Sequence, residues 1–529
     1  MAARMTRVVK RGAAAVLLTA AALSVLYLTY ALAQRRAERP RRADGAGATI
    51  TVKARGDLQR ALDAARPGDE VVLEAGAVFV GNFVLPVKPG SSFITVRSSR
   101  ASELAEGRRV TPADAPRMAR VATPNAAPAL LAPPNSHHWR LVGLEVTQSG
   151  PFSTYDLIQL GDGDPSGPQD TAAEAPRHLT VDRCYLHAFD DATPLKRGVA
   201  LNSAHTEVVN SHISGVKVRG QETQAVAGWN GPGPFLIENN YLEAAGINVL
   251  FGGARSATPN LVPADITVRG NHLFKPLDWR GRWTVKNLLE LKRARRVIVT
   301  GNLLENNWPD AQTGWAVIFN AFAESPESAI EDVEFSRNVI RRSANGLNLC
   351  GMEATDAAVR MRRVRVADNL IEGLGEFDGE GKAFQVLNGS EALSFDHNTV
   401  RGRVKMALLL DSVGAFRHEG LAFTNNLLPH GEYGVFGNGG TFGTAALEQF
   451  ARRWSFAGNV LAGADTNLYP SRNLYPPAFG PDFFADEARG NYRVKHPRFK
   501  GRATDGKDPG CDFDQLEAAL AWRARPAGG

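Results

Sequence analysis

The chain has 529 residues, 43% of them hydrophobic and 22% charged, with a formal net charge of +6. Nine of its 61 basic and one of its 55 acidic side chains fall in residues 1–42, leaving 52 basic against 54 acidic in the body. Bulk charge therefore argues against nucleic acid as a partner, although local basic patches are compatible with it.

Residues 13–33 carry no charge and follow Arg4, Arg7, Lys10 and Arg11. As a helix they would just span a bilayer core of about 30 Å. The run is long for the apolar part of a signal peptide, yet Ala31-Leu-Ala33 resembles a cleavage site. Arg35, Arg36, Arg39, Arg41 and Arg42 follow, which blurs the orientation rule. We expect residues 1–34 to be an uncleaved membrane anchor, with a cleaved signal as the alternative. Both imply an exported, cell-envelope body. Residues 35–49 read as a polar linker. Asp57 to Ala65 then places Leu58, Ala61, Leu62 and Ala65 at helical spacing before the turn Pro67-Gly-Asp69. A short helix there would cap the apolar end of a stacked fold.

From Cys184 onward one pattern recurs: an apolar run, an asparagine, then a second apolar run. Asn240, Asn271, Asn302, Asn338, Asn369, Asn398, Asn426 and Asn459 hold the asparagine position, with Cys184 and Ser211 in the same register earlier. The steps are 27, 29, 31, 31, 36, 31, 29, 28 and 33 residues, a period that means stacked supersecondary units. Each unit has three short runs rich in β-branched residues. The asparagine suits a bend, because Asn tolerates the left-handed region, and in-register asparagines can form a hydrogen-bonded ladder. The expected fold is all-β: a single-stranded right-handed parallel β-helix of about ten coils over residues 50–470. A propeller blade needs about 40–45 residues, and a leucine-rich repeat would show a leucine consensus.

The strand before each variable loop is the natural groove. Alternation along Leu288-Leu-Glu-Leu-Lys292 turns Leu289 and Leu291 inward and Glu290 and Lys292 outward. Asn320, Asn348 and Gln385 on later coils could extend this polar column. The most aromatic insertions flank it, with Trp279 and Trp283 before and Trp308 and Trp315 after. Such faces beside charged groups suit sugar rings; the alternative is that these tryptophans pack loops onto the coil. β-Elimination from a uronate needs a base for the C5 proton, and Lys292 is the candidate. A carboxylate at Glu290 would hold the proton on that lysine unless it bound a cation such as Ca²⁺. Hydrolysis would need two carboxyl groups, for which Glu290 with Asp310, or Asp190 with Asp191, are candidates. Glu290–Lys292 as a plain surface ion pair is the third reading.

Cys184, Cys350 and Cys511 show no metal-binding spacing and read as small buried side chains. Residues 471–529 read as a C-terminal capping segment, with a helix from Gln515 to Arg523.

The stretch Asp57-Leu-Gln to Pro67-Gly-Asp69-Glu-Val-Val-Leu resembles the cap and first coil of pectin-lyase-like β-helix proteins. Ala227-Gly-Trp-Asn-Gly-Pro-Gly-Pro234, Glu238 to Gly246, Trp283 to Lys292, Glu305 to Trp308 and Thr504 to Gly510 resemble bacterial right-handed parallel β-helix repeat-containing proteins. The resemblance implies fold and export rather than a reaction. Lys292 is similar in position to the lysine base of alginate-type β-helix lyases, and Glu290 to a calcium ligand of theirs. The next such strand ends Ile318-Phe-Asn320, without the arginine those enzymes place there. The pectate lyase and polygalacturonase patterns are absent. We therefore expect an envelope protein that acts on or binds polysaccharide, as a uronate lyase or, less readily, a glycoside hydrolase. The alternative is a non-catalytic glycan- or protein-binding or structural module.

Overall fold

The computed structural model describes residues 47–321, 329–352, 360–412 and 416–524. The uncharged run 13–33 lies outside the described residues, and no helix among the described residues is long and apolar enough to cross a membrane.

From Gly47 the chain winds through three long sheets, and between Val78 and Gly437 every third strand returns to the same sheet. In one coil, Ala264–Arg269 enters sheet one, His272–Phe274 sheet two and Asn287–Leu291 sheet three; Ala294–Thr300 then reopens sheet one. Neighbouring strands of successive coils are parallel and in register, as in Ile266 on Val297 and Leu289 on Val317. This is a single-stranded parallel β-helix. Inward side chains form one continuous core along the stack. Phe423 and Phe456, on successive coils, stack with ring centroids 5.4 Å apart.

The asparagine ladder stands at the turn from sheet one to sheet two. Asn271 Nδ2 donates to Asn302 Oδ1 at 3.0 Å, and Asn302 Nδ2 to Asn338 Oδ1 at 2.9 Å. Each side-chain oxygen also accepts a backbone N–H from the coil before, as Asn302 Oδ1 does from Asn271 at 2.9 Å. The ladder continues one rung further than the repeat suggests, from Asn459 to Asn473 at 2.9 Å. The bend itself corrects the sequence reading. The left-handed residue precedes each ladder position: Asn239, Gly270, Gly301, Arg337, Asp368, His397, Asn425 and Gly458 have φ between 52° and 69°. The ladder asparagine is kept for its amide, which satisfies buried backbone groups at a turn that water does not reach.

The helix Leu58–Ala64, N-capped by Asp57, adds Leu58, Ala61 and Leu62 to the main core. At the other end, the helix Gly443–Phe450 adds Ala446, Leu447 and Phe450 to that core. The later helix Phe513–Ala519, expected as the far cap, lies elsewhere. Its Phe513 and Leu516 pack on Leu303, Val339 and Leu370, outside the main core. Those three outward residues of sheet two form an apolar strip that the C-terminal segment covers.

Candidate functional site

The strands of sheet three bend midway, and the bend decides which side chains face out. Leu157 with Ile158, Ala225 with Val226, Leu288 with Leu289 and Ala316 with Val317 are adjacent pairs that both enter the main core. The outward positions are therefore three apart rather than two. Two columns result. One runs Asp156, Arg197, Gln224, Ile247, Asn287; the other runs Gln159, Ala200, Ala227, Leu250, Glu290.

Glu290 is 2% exposed. Its strand neighbours are Leu250 on the preceding coil and Ile318 on the next, so aliphatic side chains flank the carboxyl group. Oε1 lies 3.5 Å from Lys292 Nζ. Oε2 has no hydrogen-bond partner among the described residues. Burial pushes the Glu290 carboxyl above the usual range; Lys292, Lys286 and the Asn287 amide oppose this, and Glu222 adds to it. Glu222 accepts from Lys286 Nζ, and from Gln224 Nε2 at 2.8 Å. Burial opposes its ionisation too, but the Lys286 hydrogen bond and the charges of Lys286 and Lys292 prevail and hold it below the usual range. Gln224 continues the line toward the N-terminus by accepting from Arg197 Nε at 3.1 Å, and Arg197 NH1 meets Asp156 Oδ1 at 2.6 Å. The Arg197 guanidinium lies 4.6 Å from the Trp229 ring centroid.

The outward orientation expected for Glu290 and Lys292 is thus met, but their surroundings are not. Asn348 and Gln385 share the Glu290 column, separated from it by Ile318, and bond to each other at 3.0 Å. Asn320 follows Phe319, the partner of Leu291, and faces Cys350 on the next strand. Trp279, Trp308 and Trp315 are 4%, 2% and 4% exposed. Trp279 and Trp308 join Val285 and Ala245 in a small core of their own, with the half-buried Trp283 and Phe377 against it. They fasten the 276–287 and 306–315 insertions rather than offering faces to sugars, because loops of that length need apolar surface to bury. Asp310 accepts the Val285 N–H at 2.8 Å and serves as a loop tie. Asp190 accepts three hydrogen bonds from Ala192 and Thr193, while the fully exposed Asp191 reaches Lys217 at 3.5 Å; neither has the setting of a hydrolytic pair. Among the described residues no three His, Cys, Asp or Glu gather as metal ligands. The Lys292 and Lys286 ammonium groups beside Glu290 occupy the place that a cation such as Ca²⁺ would take against its carboxyl group.

Sequence reasoning missed Glu222, Gln224, Arg197, Asp156 and Trp229. The recoverable signal was a polar residue three positions before the outward one on strand after strand, which a strict period of two conceals.

The fold defines a class, the single-stranded parallel β-helix. No protein-family model and no curated protein matches the chain. Among solved structures it is similar to a mannuronic-acid-specific polysaccharide lyase of family 6 from human gut microbiota, at 12% identity over 90% of this chain and 99% of that one, with a TM-score of 0.48. It is also similar to an alginate lyase from Paenibacillus sp. strain FPU-7, at 14% identity over 78% and 98% with a TM-score of 0.29. A pectate lyase matches at 12% identity over 88% and 96%, with a TM-score of 0.38. The chemistry rests on this chain's own residues.

Proposed function

We propose that the protein acts on an acidic polysaccharide laid along the outer face of sheet three, with Glu290 and Lys292 as the reacting pair of a β-elimination. One observation carries this: a carboxyl group 2% exposed, with one oxygen unpartnered among the described residues and an ammonium 3.5 Å from the other. A fold retains such a group at a cost unless it has a use. Burial favours neutral Glu290. Neutral Glu290 can donate to a uronate carboxylate, and the Lys292 amino group, 3.5 Å from it, serves as the base for the C5 proton. The electron pair forms the C4–C5 double bond, the C4–oxygen bond breaks, and the departing oxygen takes up the proton that Lys292 removed from C5, directly or through water.

A second observation favours hydrolysis at the same place. Glu290 is pushed toward its protonated form while Glu222 is held ionised, the division of labour of an acid and a base. The test is product analysis on polygalacturonate, alginate and a glycosaminoglycan. Elimination gives ultraviolet absorbance from the unsaturated end, and hydrolysis gives new reducing ends without it. Neither product, from any of the three, would leave a binding module and overturn the enzymatic reading. Export, with residues 13–33 as anchor, is part of the proposal; release of the body by alkaline extraction would contradict anchoring.

A further inference from the structure

Glu290 and Lys292 fix where a sugar would react but not how far along the coil its polymer extends. Of the tryptophans that sequence alone would nominate, Trp279, Trp308 and Trp315 are buried and Trp283 is half-buried, so a more exposed aromatic ring of sheet three is the better candidate. Tyr155, on the strand Thr154–Leu160, is 53% exposed. Lys196 on the next strand of the sheet places Nζ 2.8 Å from the Tyr155 hydroxyl and 4.3 Å from its ring centroid. Arg197 lies 5.7 Å from the same ring, locked by Asp156 and Gln224.

These residues are continuous with the site already described. Tyr155 and Lys196 immediately precede the paired residues Asp156 and Arg197, and Lys286 immediately precedes Asn287 on the same register line. One edge of sheet three thus carries Tyr155, Lys196 and Lys286. Four strand spacings separate the Tyr155 strand from the Glu290 strand, about 19 Å at about 4.8 Å each.

We propose that Tyr155 and Lys196 form a distal subsite for an acidic sugar of the same polymer. The apolar face of the sugar lies on the Tyr155 ring and its carboxylate on the Lys196 ammonium, with Arg197, paired to Asp156, packed beside the ring. The inference rests on sheet three being the polysaccharide face, and it adds a direction: the polymer runs from Glu290 toward the N-terminal coils. It also extends the preference for acidic sugars beyond the reacting unit, since a neutral glucan would gain nothing from Lys196.

The test measures binding of the full chain to polygalacturonate and alginate, each as polymer and as trimer, for the parent, Tyr155→Ala, Tyr155→Phe, Lys196→Ala and Glu290→Gln. A trimer held at Glu290 is too short to reach Tyr155. We expect Tyr155→Ala and Lys196→Ala each to cut the affinity advantage of polymer over trimer about tenfold, the worth of one stacking or ionic contact. Tyr155→Phe keeps the ring and should retain most of that advantage, which separates lost stacking from lost folding. An unchanged advantage in both alanine variants overturns the subsite and leaves the Glu290 reading standing. A parent that binds neither polymer overturns both.

Discussion

Asn302 shows what a single rung of the ladder contributes. Its Oδ1 accepts from Asn271 N and Nδ2, and its Nδ2 donates to Val268 O, Thr300 O and Asn338 Oδ1. Asn302→Ala strands these buried partners, each costing about 1–3 kcal/mol when unsatisfied. We expect a loss of about 3 kcal/mol in chemical denaturation, and a change under about 1 kcal/mol would show that the ladder is dispensable. His418 is fixed as firmly: its Nδ1 accepts the Ser390 N–H at 3.1 Å and its Nε2–H donates to Asp411 O at 3.1 Å, so the ring is held neutral. Glu290 differs from both, because the fold leaves one of its oxygens unpartnered among the described residues.

Among elements, the 276–287 insertion and the bent strands of sheet three account for most of what the sequence hid. Trp279 and Trp308 were legible as an aromatic cluster, and their packing of loops onto the coil was one of two readings left open, since composition does not say which loop folds over which. Trp308→Ala should remove about 3–5 kcal/mol of stability by opening a cavity under the insertion, read as a lowered melting temperature. An unchanged melting temperature would mean that the ring faces solvent after all. The ladder was legible because one residue type marks eight successive coils, from Asn240 to Asn459. The polar line Asp156–Arg197–Gln224 was not, because Ala225-Val226 and Leu288-Leu289 both turn inward at the bend. The C-terminal helix was legible as a helix, yet its docking on Leu303, Val339 and Leu370 depends on outward apolar residues contributed by three separate coils.

At the scale of the whole molecule, the buried His418 and several half-buried histidines tie stability to pH. Burial lowers His212 to about 3 and His418 to about 4, and lowers His137, His138, His178 and His272 in the same direction. With folded values below the unfolded one near 6.5, the stabilisation is complete above about pH 6.5 and is lost as the pH falls below it. Asp156, Asp162, Glu243, Glu290 and Asp368, raised by burial, act in the opposite sense. The melting temperature should fall between about pH 7.5 and about pH 5; a rise would mean that the carboxyl groups dominate. The stack otherwise acts as a rigid frame that presents one face of sheet three along many coils, and the claim that this face works on acidic polysaccharide is tested most directly at Glu290 and Lys292. The measurement is the initial rate of ultraviolet absorbance gain on polygalacturonate and alginate by the parent, Lys292→Ala and Glu290→Gln. We expect the parent to generate unsaturated ends on one of the two polymers and both variants to fall at least about a hundredfold. Equal rates in parent and variants, or absorbance from none of them, would contradict it.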